Sequence, residues 1–178
     1  MSTVPVYLLL STQTAPKTSL HAQGGITYAI LKDEASSEVY FTLLANTGGS
    51  GYFGREIIPF SQIAACLAGA DLSKSIPAKR FLKAFALSRS VNNGGFLCAC
   101  LRHQALLKPA PESPQQHVMG DDWDSWKATM LQTASDQVFV VQELEKPAKA
   151  VLEPGKKDKK SGGKSKKDAE GEQHADPA

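Results

Sequence analysis

The chain has 178 residues, 42% of them hydrophobic, and a formal net charge of +2, enough for one domain-sized core and too nearly neutral for a wholly disordered polyelectrolyte. Its three cysteines, Cys66, Cys98 and Cys100, argue against a disulfide framework and for a reducing compartment. The charge is sorted along the chain: 11 Lys and Arg face 12 Asp and Glu up to Glu145, against 9 and 6 from Lys146 onward.

Val4, Val6, Leu8 and Leu10 alternate with other residues and predict a strand. The run is too short to span a bilayer and has no basic flank, so a cytoplasmic protein without a transmembrane segment is expected. Ser11 to Gly24 reads as a polar loop. Ile26–Lys32 and Val39–Ala45 alternate apolar residues and predict a hairpin closed by Asp33–Glu38. After the glycine-rich turn Gly48–Gly54, a short strand Arg55–Ile58 ends at Pro59. Four helices are then expected. The first is capped by Ser61 and stopped by Gly69. The second runs from Ser75 to about Ser88, with Pro77 in its first turn and Ala78, Phe81, Leu82 and Phe85 on its apolar face. The third begins after Asn93-Gly94-Gly95 and ends before Pro109. The fourth is capped by Asp121 or Asp122 and carries Trp123, Trp126 and Met130 on one side. Val138–Val141 predicts a last strand returning to the sheet centre.

The fold class is therefore α+β: an antiparallel meander of three to five strands packed by about four helices in residues 1–145. Residues 146–178 are rich in Lys, Gly, Ser, Glu and Asp and have no aromatics. They form an expected disordered basic tail, because they cannot bury enough apolar area to offset ordering.

Lys74 to Lys108 contains seven Lys and Arg and no acid, whereas Glu112 to Asp124 contains four acids and no Lys or Arg. Sorted charge of this kind can select a partner. On an α-helix at about 100° per residue, Lys79, Arg80 and Lys83 share roughly one third of the circumference, opposite the phenylalanines. Arg89, Asn92 and Asn93 follow in the connection, where amides can meet phosphate or bases. These six residues are the candidate nucleic-acid-binding set, with an acidic protein as the other partner this chemistry fits. The lysine clusters Lys156–Lys160 and Lys164–Lys167 would add salt-sensitive contacts.

Other motifs carry less. Gly49 to Gly54 matches G-x-G-x-x-G, but a strand rather than a helix is expected after it, against a dinucleotide site. Cys98 and Cys100 point about 160° apart on a helix, which opposes a shared metal ion with His103 and Cys66. Buried thiols and a core histidine account for them. Asp121, Asp122 and Asp124 suit helix capping. No nucleophile, base and oxyanion donor assemble from the sequence, so no cofactor is expected and a non-enzymatic accessory protein is the leading expectation. A self-assembling adaptor using the opposed charges is an alternative. A small enzyme drawing on Asp121, Asp122, His103 and Arg55 is another.

Overall fold

A computed structural model of the chain describes residues 5–141; the tail expected from Lys146 lies outside them. The architecture is α+β. Strands β1 (Leu8–Pro16), β2 (Gly25–Asp33), β3 (Glu38–Asn46) and β4 (Ile58–Pro59) form an antiparallel meander in sequence order. Helix α1 (Phe60–Ala65), a 3₁₀ helix (Ala78–Ala84), α2 (Asn92–His103), a second hairpin of β5 (Leu107–Ala110) and β6 (Ser113–Met119), and α3 (Trp123–Gln132) follow. No described helix is long and apolar enough to cross a membrane.

The alternation expected in the central hairpin sets the core. Tyr28 pairs with Leu43 and Ile30 with Phe41, so Ile26, Tyr28, Ile30, Val39, Phe41 and Leu43 present one fully buried face. Helix α2 lies against β1 and β2, and α1 and α3 lie against β3. Phe41, Phe60, Trp123 and Trp126 meet with ring centroids 4.9–6.4 Å apart, so Trp123 belongs to the core and Trp126, partly buried, packs against it. Asp122 caps α3, accepting from the Ser125 N–H at 2.6 Å, as its position predicts. Lys127 ties α3 to β3 through Glu38 at 2.7 Å.

Several boundaries differ from expectation for local reasons. Strand β1 continues through the supposed loop to Pro16, because Gln13 and Thr14 find cross-strand partners in Tyr28 and Thr27. Helix α1 begins one residue before Ser61, after Pro59, with no side-chain cap. Helix α2 ends at His103 instead of continuing toward Pro109, because Ala105 adopts φ +60° and the Leu106 N–H reaches back to the Leu101 carbonyl at 2.9 Å. This is a Schellman stop with alanine where glycine is usual, so no stop signal was visible. The chain released there forms the β5–β6 hairpin; its prolines are tolerated because a two-stranded ribbon is all edge. The last segment does not reach the sheet centre. Val138 makes a single bridge to Leu8 on the outer edge of β1 and stays 55% exposed.

A polar pair of buried His117 and half-buried Arg102 closes this layer. His117 on β6 is fully buried, and its Nδ1 accepts from Arg102 Nε at 2.8 Å. The neutral ring must then carry its proton on Nε2. Burial, and then the Arg102 charge, lower the His117 pKa from 6.5 to about 4. The folded state thus binds fewer protons than the unfolded state between these values. Stability is complete above pH 6.5 and falls as the pH drops toward 4. The depressed carboxylates Glu38, Asp71 and Asp122 act only at lower pH. Urea unfolding should show a loss of about 1 kcal/mol between pH 7 and pH 5.5, and His117→Asn, which keeps an acceptor for Arg102, should abolish that loss.

Candidate partner-binding surface

Residues 74–91 leave the expected helical geometry, and this decides which basic side chains are available. The segment is pinned at both ends. Ile76 exchanges backbone hydrogen bonds with His117 at 2.6 and 3.0 Å. Beyond the helix, the Glu56 carboxylate accepts from the Ala86, Leu87 and Ser88 N–H groups. Three successive amides converging on one carboxylate form an anion-holding nest, filled here by the chain's own side chain. Between these anchors only seven residues, Ala78–Ala84, wind as a 3₁₀ helix.

A 3₁₀ helix places residues i and i+3 in line, at about 120° per residue. Ala78, Phe81 and Ala84 therefore form the inward row, and Phe81 is fully buried. Arg80 and Lys83 share a second row, both close enough to Cys66 to favour its thiolate, although burial dominates and raises that pKa. Lys79 shares the third row with Leu82. The α-helical stripe expected for Lys79, Arg80 and Lys83 is thus split between two rows.

The fold uses several of the expected binding residues internally. Arg80 donates from Nε to the Cys66 carbonyl at 2.7 Å and from Nη2 to the Ala68 carbonyl at 2.8 Å, closing the end of the α1 segment. Asn93 is fully buried. Its Oδ1 accepts from the Gly54 N–H at 2.8 Å and its Nδ2 donates to Ser88 Oγ at 3.0 Å. Asn92 donates to the Tyr52 carbonyl at 3.1 Å. In the wider run, Lys74 pairs with Asp71 at 3.3 Å and Lys108 with Asp121 at 3.5 Å. Arg102 holds His117 and the carbonyls of Pro114 and Gln116. Lys79, Lys83 and Arg89 remain exposed, with no ion-pair partner among the described residues.

These same bonds weld two loops, residues 49–57 and 85–92, into one platform. Ser90 Oγ joins Asn92 in donating to the Tyr52 carbonyl. Gly54 is required by close approach: a Cβ there would lie 2.4 Å from Ser88 Cβ. Gly94 is required likewise, since its Cβ would lie 2.4 Å from the Ala78 carbonyl oxygen. Of the three glycines in the G-x-G-x-x-G pattern, Gly54 thus serves packing, and no helix follows the pattern closely enough to cradle a phosphate. Beside the platform, a groove of about 720 Å³ is lined by Pro5, Tyr7, Phe53, Arg55, Leu87 and Val141 among others. A second hollow of about 320 Å³ lies between Leu82, Phe85 and Arg89.

The residues considered for metal or catalytic chemistry are engaged elsewhere. Cys66 and Cys100 donate to the carbonyls four residues back, at 3.5 and 3.2 Å. Burial raises the pKa values of Cys98 and Cys100 well above the ordinary thiol range. No described group of three His, Cys, Asp or Glu is placed to hold a metal ion. His103 is exposed and not a core residue; its Nδ1 meets the Tyr28 hydroxyl at 2.9 Å. Arg55 lies over the Phe53 ring at 5.6 Å.

Sequence reasoning missed Glu56, whose role needs a loop 30 residues away, and the outward side chains of the platform, Tyr52, Leu87 and Val91, which no periodicity marks. Asn93→Ala should destabilise the fold by about 2 kcal/mol, because it leaves the Gly54 amide buried and unpaired. Lys79→Ala should stay within about 0.5 kcal/mol; urea denaturation distinguishes the two. Glu56→Ala should accelerate amide exchange at residues 86–88 and leave β2 protected. Comparison with models of protein families, with curated proteins and with solved structures finds no match to this chain.

Proposed function

We propose that this chain is a non-enzymatic accessory protein that binds an anionic macromolecule, nucleic acid or acidic protein, through Lys79, Lys83 and Arg89. The observation that carries this reading is selective availability. In an acid-free stretch of 35 residues, Lys74 to Lys108, the fold occupies four of the seven cations with carbonyls, carboxylates or an imidazole. It leaves three exposed with no ion pair among the described residues, Lys79 and Lys83 on one short helix and Arg89 in the loop after it. Unpaired exposed cations cost little to hold and contribute most when an anion arrives, because counterions are then released. The lysine-rich sequence beyond Lys146 would add charge to the same encounter.

The alternatives draw less support. Self-assembly between opposed charged segments needs an available acidic run, yet Asp121 faces Lys108 and Asp122 caps α3. A catalytic reading needs converging groups, whereas Asp121, Asp122, His103 and Arg55 each have a different partner.

Fluorescence anisotropy with labelled (dT)20 and with a labelled polyglutamate peptide, at 50 and 200 mM salt, tests the proposal. At least one probe should bind at low salt and weaken at high salt. The triple variant Lys79→Ala/Lys83→Ala/Arg89→Ala should weaken it at least tenfold and, for the oligonucleotide, flatten the logarithmic salt slope by about 2. Absence of binding by both probes at low salt, or binding unaffected by the triple variant, would end this reading.

A further inference from the structure

The three most exposed large hydrophobic side chains among the described residues are Tyr52 at 88%, Leu87 at 84% and Val91 at 82%, and all three stand on the platform formed by loops 49–57 and 85–92. Single exposed hydrophobics are ordinary on a protein surface. Here their backbones are bound together. The Tyr52 carbonyl is held by Ser90 and Asn92, which flank Val91 in sequence. The Leu87 amide is held by Glu56 at 3.0 Å. Asn93, buried beneath both loops, ties Gly54 to Ser88. Polar side chains thus fix this backbone while its apolar side chains remain in water. A surface prepared in this way has already met much of the ordering cost of binding; tyrosine and arginine are enriched at the centre of protein–protein contacts, and Leu87 and Val91 add apolar area that a partner would cover.

We propose that Tyr52, Leu87 and Val91 form the docking face for a segment of an acidic partner protein. Two or more apolar side chains of that segment cover the three anchors, and one carboxylate meets Arg89. The choice of a protein follows from the chemistry of the face. Leu87 and Val91 have neither a π face for a base nor a donor for a phosphate, so they would remain idle against nucleic acid. The choice of an acidic partner follows from the exposed cations at Lys79, Lys83 and Arg89, which no described carboxylate neutralises. Arg89 and Leu82 share the smaller hollow, and Leu87 lines the larger groove, so charge and apolar contact are offered side by side. The inference rests on the anionic-partner reading for the charge of the partner, and on the platform alone for its apolar anchors.

The experiment is selection of a displayed random dodecapeptide library on the full chain, followed by titration of the synthesised winners. Enriched peptides should combine Asp or Glu with at least two large apolar residues. Their affinity should fall at least tenfold for Leu87→Ser/Val91→Ser and at least threefold for Arg89→Ala. Circular dichroism melting should not fall in either variant, since all three side chains are exposed and serine is well suited to the N-cap position of α2 that Val91 occupies. Winners without acidic residues, or equal affinity for wild type and Leu87→Ser/Val91→Ser, would overturn the proposal. So would tighter binding of (dT)20 than of any peptide, insensitive to the apolar substitutions. A wild-type dimer in light scattering that Leu87→Ser/Val91→Ser dissolves would assign the face to a second copy instead. If the Lys79/Lys83/Arg89 triple variant weakens binding and the apolar variant does not, the charge reading survives and the docking face is wrong. If only the apolar variant weakens it, the apolar anchors stand, while the Arg89 contact and the charge reading both fall.

Discussion

Burial of one face of the β2–β3 hairpin is the constraint on which the described structure depends. Ile26, Tyr28 and Ile30 on one strand meet Val39, Phe41 and Leu43 on the other. Because side chains alternate with a period of two, a slip of one residue would turn this entire set away from the helices. Phe60, Trp123 and Trp126 stack onto Phe41 or onto one another, so α1 and α3 take their positions from that strand. Phe81 and Leu97 complete the layer from the 3₁₀ helix and α2. The proposed binding residues Lys79 and Lys83 sit on the 3₁₀ helix whose Phe81 packs here.

The polar groups beneath this layer explain why so few cations are left. Backbone groups released at helix ends and tight loops need partners. Arg80 supplies donors to the carbonyls after α1, Arg102 supplies them to the β6 strand, and Glu56 accepts from three loop amides. Arginine suits this work because its fork donates in fixed directions and keeps its charge when partly buried. What looks in sequence like one continuous basic surface is therefore partly internal carpentry. The same bonds hold the loops that carry Tyr52, Leu87 and Val91, so the rigidity of the outward face and the loss of available charge have a common origin.

The departure from α-helix between Ala78 and Ala84 follows from its anchors. Ile76 is held in an extended bridge to His117, and the amides of residues 86–88 are held by Glu56. A 3₁₀ winding rises about 2.0 Å per residue against about 1.5 Å for an α-helix, so it spans more of the distance between these anchors while Phe81 reaches the core. The change in twist moves Lys79 out of line with Lys83, so no single basic stripe forms.

The α+β class, the β2–β3 hairpin and its inward residues, the helix following Asp122 and the apolar character of α2 were legible in the sequence. Period-two alternation, a capping residue and helical apolar spacing are local signals, each expressed within about ten residues. The β5–β6 hairpin was not legible, because its existence depends on Ala105 adopting a left-handed conformation that alanine does not advertise and that Gly120 accommodates by packing against its carbonyl. The proposed binding surface was half legible. Sequence determined that cations are concentrated between Lys74 and Lys108. Only the tertiary structure decided that Arg80, Arg102 and Asn93 serve the fold, and that Lys79, Lys83 and Arg89 face water. The physical reason is that availability depends on which distant carbonyls and carboxylates reach each side chain, and linear spacing does not encode those partners.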